Sequence, residues 1–198
     1  MHIRALPLVA LGLAAAVPAV AQEHPLLHPT RDVMVEYHVS GVIVGQQRSD
    51  TVRMYFTDQG TKLRIEPVGQ PAYSIMDRTA GRMIMVMTPQ HFYMEMPFDP
   101  KQVMAFERTD ETFTRRGTDT VAGIGCTIYD AKRQDHRGQV CISDDGLLLR
   151  AKSEDPAQAG GGLEARRVAY GPQPASLFAP PPDFQKMEVP ATAKGAPH

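Results

Sequence analysis

The sequence has little net charge and no stretch dense in positive residues. Its 198 residues carry a formal charge of −1 at pH 7, and removal of residues 1–21, which contain Arg4, makes it −2. The pairs Arg115–Arg116 and Arg166–Arg167 are short, and solvated strand ends account for such pairs. A nucleic-acid-binding surface needs a positive stripe to neutralise phosphates, so the composition argues against a nucleic-acid partner.

Long apolar runs are also lacking, apart from one near the N-terminus. Residues 1–4 form a short basic start, residues 6–17 are almost all apolar, and residues 19–21 are small at the spacing that signal peptidase needs. We therefore expect residues 1–21 to be a signal peptide, cleaved before Gln22, and the soluble mature protein to be exported, most simply to a bacterial periplasm. The run is too short to span a bilayer and no second run follows, so we expect no transmembrane segment in the mature chain.

Recognisable catalytic motifs are absent from the chain. It contains no His-Glu-x-x-His motif, no Gly-rich phosphate loop and no nucleophile elbow of the α/β-hydrolase kind. Asp144 and Asp145 are adjacent carboxylates, but they precede Gly146, and the chemistry of an Asp-Gly turn already accounts for them. We therefore expect no catalytic activity, and nothing in the sequence calls for a cofactor.

Cysteine is nearly absent as well, since the chain has only Cys126 and Cys141. An exported protein folds in an oxidising compartment, so we expect these two residues to form a disulfide. A direct pairing across two strands would set Thr127 opposite Val140. A redox pair or a metal site are the alternatives, but redox chemistry usually needs cysteines close together at the start of a helix. The closed loop of roughly 15 residues would stabilise the fold by about 3 kcal/mol in the chain-entropy model.

What the chain does have is a series of short segments in which apolar and polar residues alternate. Period-two alternation predicts β-strands with one apolar face, separated by turns rich in Gly, Pro and Asp. The segments with this pattern are residues 33–44, 51–56, 62–66, 72–77, 112–115, 119–122 and 163–170. Asp145-Gly146 lies between two further apolar runs and predicts a hairpin with a type I′ turn.

Helical composition is confined to one good segment. Residues 101–108 follow Asp99, a candidate N-cap, and Pro100, which suits the first helical position, and a helix here would cover one face of the sheet. Residues 183–187 are a second candidate, for a single helical turn. We expect three parts after the signal peptide: a flexible arm, a single β-rich domain and a disordered tail, at residues 22–31, 32–188 and 189–198.

The richest pattern in the chain is a methionine-rich hairpin. Residues 82–96 alternate, break at Thr88-Pro89-Gln90-His91, and alternate again. With a four-residue loop, antiparallel register pairs Met83 with Met96, Met85 with Met94, and Met87 with Phe92. Side chains alternate between the two sides of a strand, so all six lie on one wholly apolar face. The opposite face combines Ile84 and Val86 with charged residues and is mixed.

Three interpretations of this methionine-rich face remain open. It can be filled core, packed against the helix at residues 101–108. It can line a cavity for an apolar ligand, because the unbranched thioether of Met adapts to variable shapes. It can also hold Cu(I), for which thioethers are soft ligands, together with the nearby His91. Copper sites usually lie at an exposed edge, so we assign no metal site to these residues.

Three other segments carry a resemblance to a known group of proteins. These are residues 123–129 (Gly-Ile-Gly-Cys-Thr-Ile-Tyr), 143–150 (Ser-Asp-Asp-Gly-Leu-Leu-Leu-Arg) and 177–187, which opens with Leu-Phe-Ala-Pro and closes with Phe-Gln-Lys-Met. With the export signal, this order resembles the periplasmic lipoprotein-carrier superfamily, LolA/LolB-like, and within it a group known only as a domain of unknown function. Asp183 stands where glycine is commoner in such proteins, and the shared motifs specify a fold and identify no catalytic residue.

The resemblance implies a mainly β fold. The expected architecture is an antiparallel curved sheet or half-barrel with one or two short helices covering the concave face. It also implies an apolar, lipid-like ligand and an outer-membrane or lipoprotein partner. The function expected from the sequence is therefore an exported periplasmic binding or carrier module for an apolar ligand. The alternatives are a periplasmic copper-binding protein that uses Met residues, and a structural or interaction domain with a filled core and no ligand.

Overall fold

A computed structural model describes residues 24–43, 46–99, 111–134, 136–154 and 161–188. These residues form twelve strands and one short 3₁₀ helix, Ala175–Phe178. The strands are β1 (Val33–Ile43), β2 (Gln46–Thr57), β3 (Lys62–Pro67), β4 (Ala72–Asp77), β5 (Arg82–Met87), β6 (Phe92–Pro97), β7 (Thr112–Val121), β8 (Ile124–Arg133), β9 (His136–Ile142), β10 (Leu148–Ser153), β11 (Gly162–Tyr170) and β12 (Gln185–Met187).

All twelve strands belong to one sheet, in the order β12-β6-β5-β4-β3-β2-β1-β11-β10-β9-β8-β7. The sheet is open and curved, so the expected mainly β half-barrel is confirmed. Two antiparallel meanders, β1 to β6 and β7 to β11, join where β11 pairs with β1. Strand β12 is the exception, because it pairs in parallel with β6. The helix expected at residues 101–108 lies outside the described residues.

The strands follow from the alternating pattern. Val33, Val35 and Tyr37 of β1 are buried on one side of the strand, as the alternation predicts. They join a core that reaches β2 and β3 on one side and the disulfide on the other. The buried hydroxyl of Tyr37 donates a hydrogen bond of 2.6 Å to the carbonyl of Leu148 in β10. This bond ties the centre of the sheet to the second meander.

In two places the observed strands differ from the elements that the sequence predicted. Residues 112–115 and 119–122 were expected to be separate strands, but residues 112–121 form the continuous β7, and Ala122 lies in the turn that follows. The pairing of β7 with β8 shifts between Arg115 and Gly117, so a β-bulge absorbs the interruption in the alternating pattern. A helical turn was predicted at residues 183–187, but Gln185–Met187 form the extended β12, because the edge of β6 offers backbone partners.

The turn between β9 and β10 differs from the predicted type. A type I′ turn needs positive φ at both central residues, whereas of Asp145 and Gly146 only Gly146 has one, at 87°. The Gly146 N–H donates to the Ser143 carbonyl at 2.9 Å, and the Ser143 N–H donates to the Leu147 carbonyl at 2.9 Å. The connection is thus an ordinary turn followed by a left-handed glycine, the usual geometry of a three-residue hairpin loop.

The disulfide between Cys126 and Cys141 is confirmed, with a Cα–Cα distance of 5.5 Å. The strand register around it differs from the prediction. Ile128 rather than Cys126 lies opposite Cys141, and Thr127 faces Ile142 rather than Val140. The β8–β9 hairpin closes between Arg133 and His136 over two residues, and that short connection sets the register two residues away from the predicted one. A shift of two leaves every side chain on its expected face, so the disulfide still forms, diagonally.

The N-terminal segment lies against the sheet from residue 24, where a flexible arm was expected. Pro29 is fully buried, and Leu27 packs against a cluster that includes Phe113. The Thr30 N–H donates to the Asp145 carbonyl at 2.9 Å, and Arg31 forms an ion pair of 3.0 Å with the Asp145 side chain. The β9–β10 turn therefore supplies the surface on which this segment rests.

Candidate functional site

The methionine-rich hairpin pairs as predicted. Met83 lies opposite Met96, Met85 opposite Met94, and Met87 opposite Phe92. Two further methionines share this side of the sheet, because Met76 of β4 is the partner of Met83 and Met187 of β12 is the partner of Met94. We call the resulting surface the Met face, and its members are Met76, Met83, Met85, Met87, Phe92, Met94, Met96 and Met187.

The Met face continues the hydrophobic core of the central strands. One row of cross-strand partners runs from Val168 in β11 to Met187 in β12 and consists of Val168, Val35, Met54, Ile65, Ser74, Met85, Met94 and Met187. Exposure rises along it from 0% at Val35 and 5% at Met54 to 49% at Met187, with Met85 and Met94 half-buried. The row is an apolar strip that leads from the core to the edge of the sheet, with Ser74 as its one polar side chain.

The opposite side of the same hairpin is covered by the chain itself. Ile75, Ile84 and Val86 are buried there, and Phe178 and Phe184 of the C-terminal segment pack against them. This side was predicted to be mixed, and its apolar members are in fact more buried than the Met face. Phe178, on the short helix, thus covers this side of the sheet.

Polar contacts fix the C-terminal segment in this position. Lys186 forms an ion pair of 2.7 Å with Glu95 of β6, and the Gln185 N–H donates to the His91 carbonyl at 2.9 Å. The ring of His91 stacks on Phe184 with a centroid separation of 4.8 Å. His91 therefore faces the side of the sheet opposite to the methionines, and the structure does not bring it together with the Met face.

The sequence analysis missed two members of the Met face for different reasons. Met76 alternates with Ile75 in β4, so its side could have been inferred by extending the predicted register one strand further. The side on which Met187 lies could not be inferred from the sequence. It depends on the parallel pairing of β12 with a strand about ninety residues earlier, as the Lys186–Glu95 contact illustrates. Among the described residues, no group of three or more His, Cys, Asp or Glu side chains is placed to hold a metal ion.

A polar cluster lies near β11, on the side of the sheet that carries the Met face. Tyr170, the β11 partner of Val33, donates a hydrogen bond of 3.1 Å to Asp145, and the Arg31 guanidinium lies 3.9 Å above the Tyr170 ring. Burial favours a higher pKa for Asp145, but hydrogen bonds from Ser143, Arg31 and Tyr170 outweigh it and hold the pKa below its ordinary value. The cluster anchors the N-terminal segment to the β9–β10 turn.

Comparisons with known proteins place the chain by fold and family. A family model described as "Domain of unknown function (DUF4412)" matches residues 45–160. No protein with a curated function matches the sequence. Within the described ranges, no helix is long and apolar enough to cross a membrane.

Several solved structures share the fold. An uncharacterized conserved protein from Thermus thermophilus superposes with a TM-score of 0.57 at 12% identity, over 81% of this chain and 91% of that one. MucB superposes with a TM-score of 0.53 at 13% identity, over 80% of this chain and 60% of MucB. A chain of the Pseudomonas aeruginosa MucA/MucB complex gives 0.51 at 14%, over 76% and 56%. This chain thus spans only about three fifths of the MucB chain, and at such identities the likeness concerns the fold.

Proposed function

The chain belongs to the DUF4412 family, a domain of unknown function, and from its site we propose that it is an exported binding or carrier module that holds an apolar, lipid-like molecule against the Met face. The observation that carries this proposal is that the two sides of β5 and β6 differ in burial. One side is closed by Phe178 and Phe184 of the same chain, whereas the Met side stays half-buried and grows more exposed toward β12.

The chemistry of the Met face suits a ligand of variable shape. Seven of the eleven methionines in the chain lie on it. An unbranched thioether has three rotatable bonds and a polarizable sulfur, so a methionine surface adapts to different acyl chains better than a surface of branched residues. The strip from Met187 to Met54 is apolar except for Ser74 and connects the sheet edge with the core, so a chain-like ligand would lie along it.

The proposal extends to location and partners. A basic, apolar and small-residue sequence at residues 1–21 supports export, cleavage before Gln22 and a periplasmic location. A carrier there would receive or deliver its cargo at the outer membrane or at a lipoprotein. MucB, which has the same fold, has been solved in complex with MucA, so a protein of this architecture can also engage a protein partner.

Native mass spectrometry tests the proposal directly. Protein purified under gentle conditions from the exported fraction of its own host is expected to carry a non-covalent species of lipid mass. The double variant Met85→Gln with Met94→Gln replaces two facing thioethers by polar amides of similar length. Each of the two substitutions removes part of the roughly 1.5–3 kcal/mol that a fully buried Met side chain contributes, so lipid affinity should fall by about tenfold or more.

Two matched variants complete the design. Met34→Gln makes the same change on the other side of β1, where Met34 faces Tyr55, and should leave lipid binding unchanged. Met85→Leu with Met94→Leu keeps the face apolar but removes the sulfurs, so lipid stays bound. A Cu(I) site would lose its ligands in the Leu and the Gln variants alike. A wild-type protein free of lipid, or lipid bound equally by wild type and the Met85→Gln/Met94→Gln variant, would contradict the proposal.

A further inference from the structure

A second concave feature lies on the side of the sheet opposite to the Met face. It is a cleft of about 320 Å³ between β1, β10 and β11. His38 of β1 points into this side because its neighbours Tyr37 and Val39 face the core, and Glu164 and Arg150 continue the same row on β11 and β10. His38, Glu164 and Arg150 therefore lie on the side of the sheet opposite to the Met face.

The lining of the cleft carries a surplus of positive charge. Among the described residues that line it, three are cations, Arg150, Lys152 and Arg166, and one is a carboxylate, Glu164. Arg166 pairs with Glu164 at 2.9 Å, and Arg150 pairs with Asp119 at the rim at 2.6 Å. Among the described residues, no carboxylate lies within ion-pair distance of the Lys152 ammonium group. Even with Asp119 counted, the cations outnumber the carboxylates.

Part of the lining of the cleft is backbone without side chains. Gly161 and Gly162 line it without side chains, and β11 approaches β10 so closely here that a Cβ on Gly162 would collide with the Ala151 carbonyl oxygen. A second glycine, Gly138 of β9, borders the other side of β10, where a Cβ would lie 2.7 Å from the Lys152 carbonyl oxygen. Close packing of backbone on both sides of Lys152 fixes the strand that carries it, so the charge is held on a rigid element.

We propose that this cleft binds an oxyanion of the phosphate type. The Arg150 guanidinium is only 18% exposed and presents a planar fork of donors, and Arg166 offers a second fork from the adjacent strand. Lys152 adds a compact positive charge two residues further along β10 from Arg150. A phosphate group carries between one and two negative charges near pH 7 and accepts several hydrogen bonds, which matches the excess of cations in the lining.

Backbone NMR of the full mature chain, titrated with inorganic phosphate at low and constant ionic strength, tests the site. Saturable shifts are expected at the amides of Lys152, Gly161 and Gly162. Lys152→Gln and Arg166→Gln should each weaken phosphate binding by about fivefold, the upper end of what one exposed ion pair contributes. Lys62→Gln makes the same charge change on β3, away from the cleft, and should leave phosphate binding within the error of the titration.

Vesicle sedimentation then distinguishes the two sources of such an anion. If vesicles of phosphatidylglycerol, but not of phosphatidylcholine, retain the protein and Lys152→Gln weakens that retention, the oxyanion is a lipid headgroup. Phosphate shifts without vesicle binding assign a soluble phosphate-bearing ligand. Absence of saturable shifts at the cleft amides, or an equal loss of affinity in Lys62→Gln and Lys152→Gln, overturns the proposal. Neither result bears on lipid binding at the Met face.

Discussion

Replacement of Gly146 by alanine should displace the N-terminal segment from the β9–β10 turn. Gly146 has φ of 87°, and a Cβ there would overlap the carbonyl oxygen of His28 and lie 2.8 Å from the Cβ of Leu26. Both obstacles belong to the N-terminal segment, and one of them is backbone. A side chain at position 146 can therefore be accommodated only if residues 26–28 move away from the turn.

The magnitude of this effect has two parts. Left-handed φ alone costs an alanine about 1–2 kcal/mol relative to glycine. Displacement of the segment adds the loss of the Thr30 N–H bond to Asp145, about 1 kcal/mol net, and exposes the buried Pro29, so the second part should be at least about 2 kcal/mol. For a chain of this size each kcal/mol lowers the melting temperature by roughly 2–4 °C.

The control is Gly69→Ala, which isolates the cost of a left-handed φ for alanine. Gly69 has φ of 80°, nearly the same as Gly146, but a Cβ there would meet nothing within 4 Å. Thermal and urea unfolding of both variants should therefore show Gly146→Ala to be the less stable by at least about 2 kcal/mol, or roughly 4–8 °C. Equal losses of stability in the two variants would refute the view that the segment is fastened at this turn.

Two other outcomes are expected. Reduction of the Cys126–Cys141 disulfide, which closes a loop of sequence separation 15, should lower the unfolding free energy by about 3 kcal/mol, and an unchanged urea midpoint in reductant would contradict this. Asp145 stabilises the fold above its ordinary carboxyl pKa of 3.8, because its pKa is lower in the folded protein, and that stabilisation is lost as pH falls through the folded value. Asp145→Asn should therefore destabilise at pH 7 and progressively less as the pH falls below 3.8, measured by urea unfolding across that range; the same loss at every pH would show that the charge is not responsible.

The sequence was sufficient for the side on which strand residues lie and for the register of the methionine-rich hairpin, because both depend on neighbouring residues. Alternation predicts the buried side of β1, and the length of the turn after Met87 predicts the whole register of β5 against β6. A residue's face depends only on its parity along a strand, and hairpin register depends on a few turn residues. The same logic explains why the disulfide could be predicted while its register was wrong by two, since two cysteines on the same face accommodate either pairing.

The sequence was insufficient where the structure depends on distant parts of the chain. The parallel pairing of β12 with β6 has no local signal, so residues 183–187 were predicted to be a helical turn. The burial of Ile84 and Val86 depends on Phe178 and Phe184, which come about ninety residues later in the chain. For the same reason, the cationic cleft could not be predicted, because Arg150 and Arg166 meet only after β11 has returned to pair with β10.

The parallel strand β12 has a consequence for how the molecules behave toward one another. An open sheet ends in two rows of backbone donors and acceptors, and such rows recruit strands from neighbouring molecules. At one end, β7 carries the exposed Arg115 and Arg116 and a bulge, which oppose such pairing. At the other, β12 pairs with the first half of β6 and places Lys186 beside it. The C-terminal segment thus gives the sheet a short edge strand with a charged side chain, and both features oppose pairing with a neighbouring molecule.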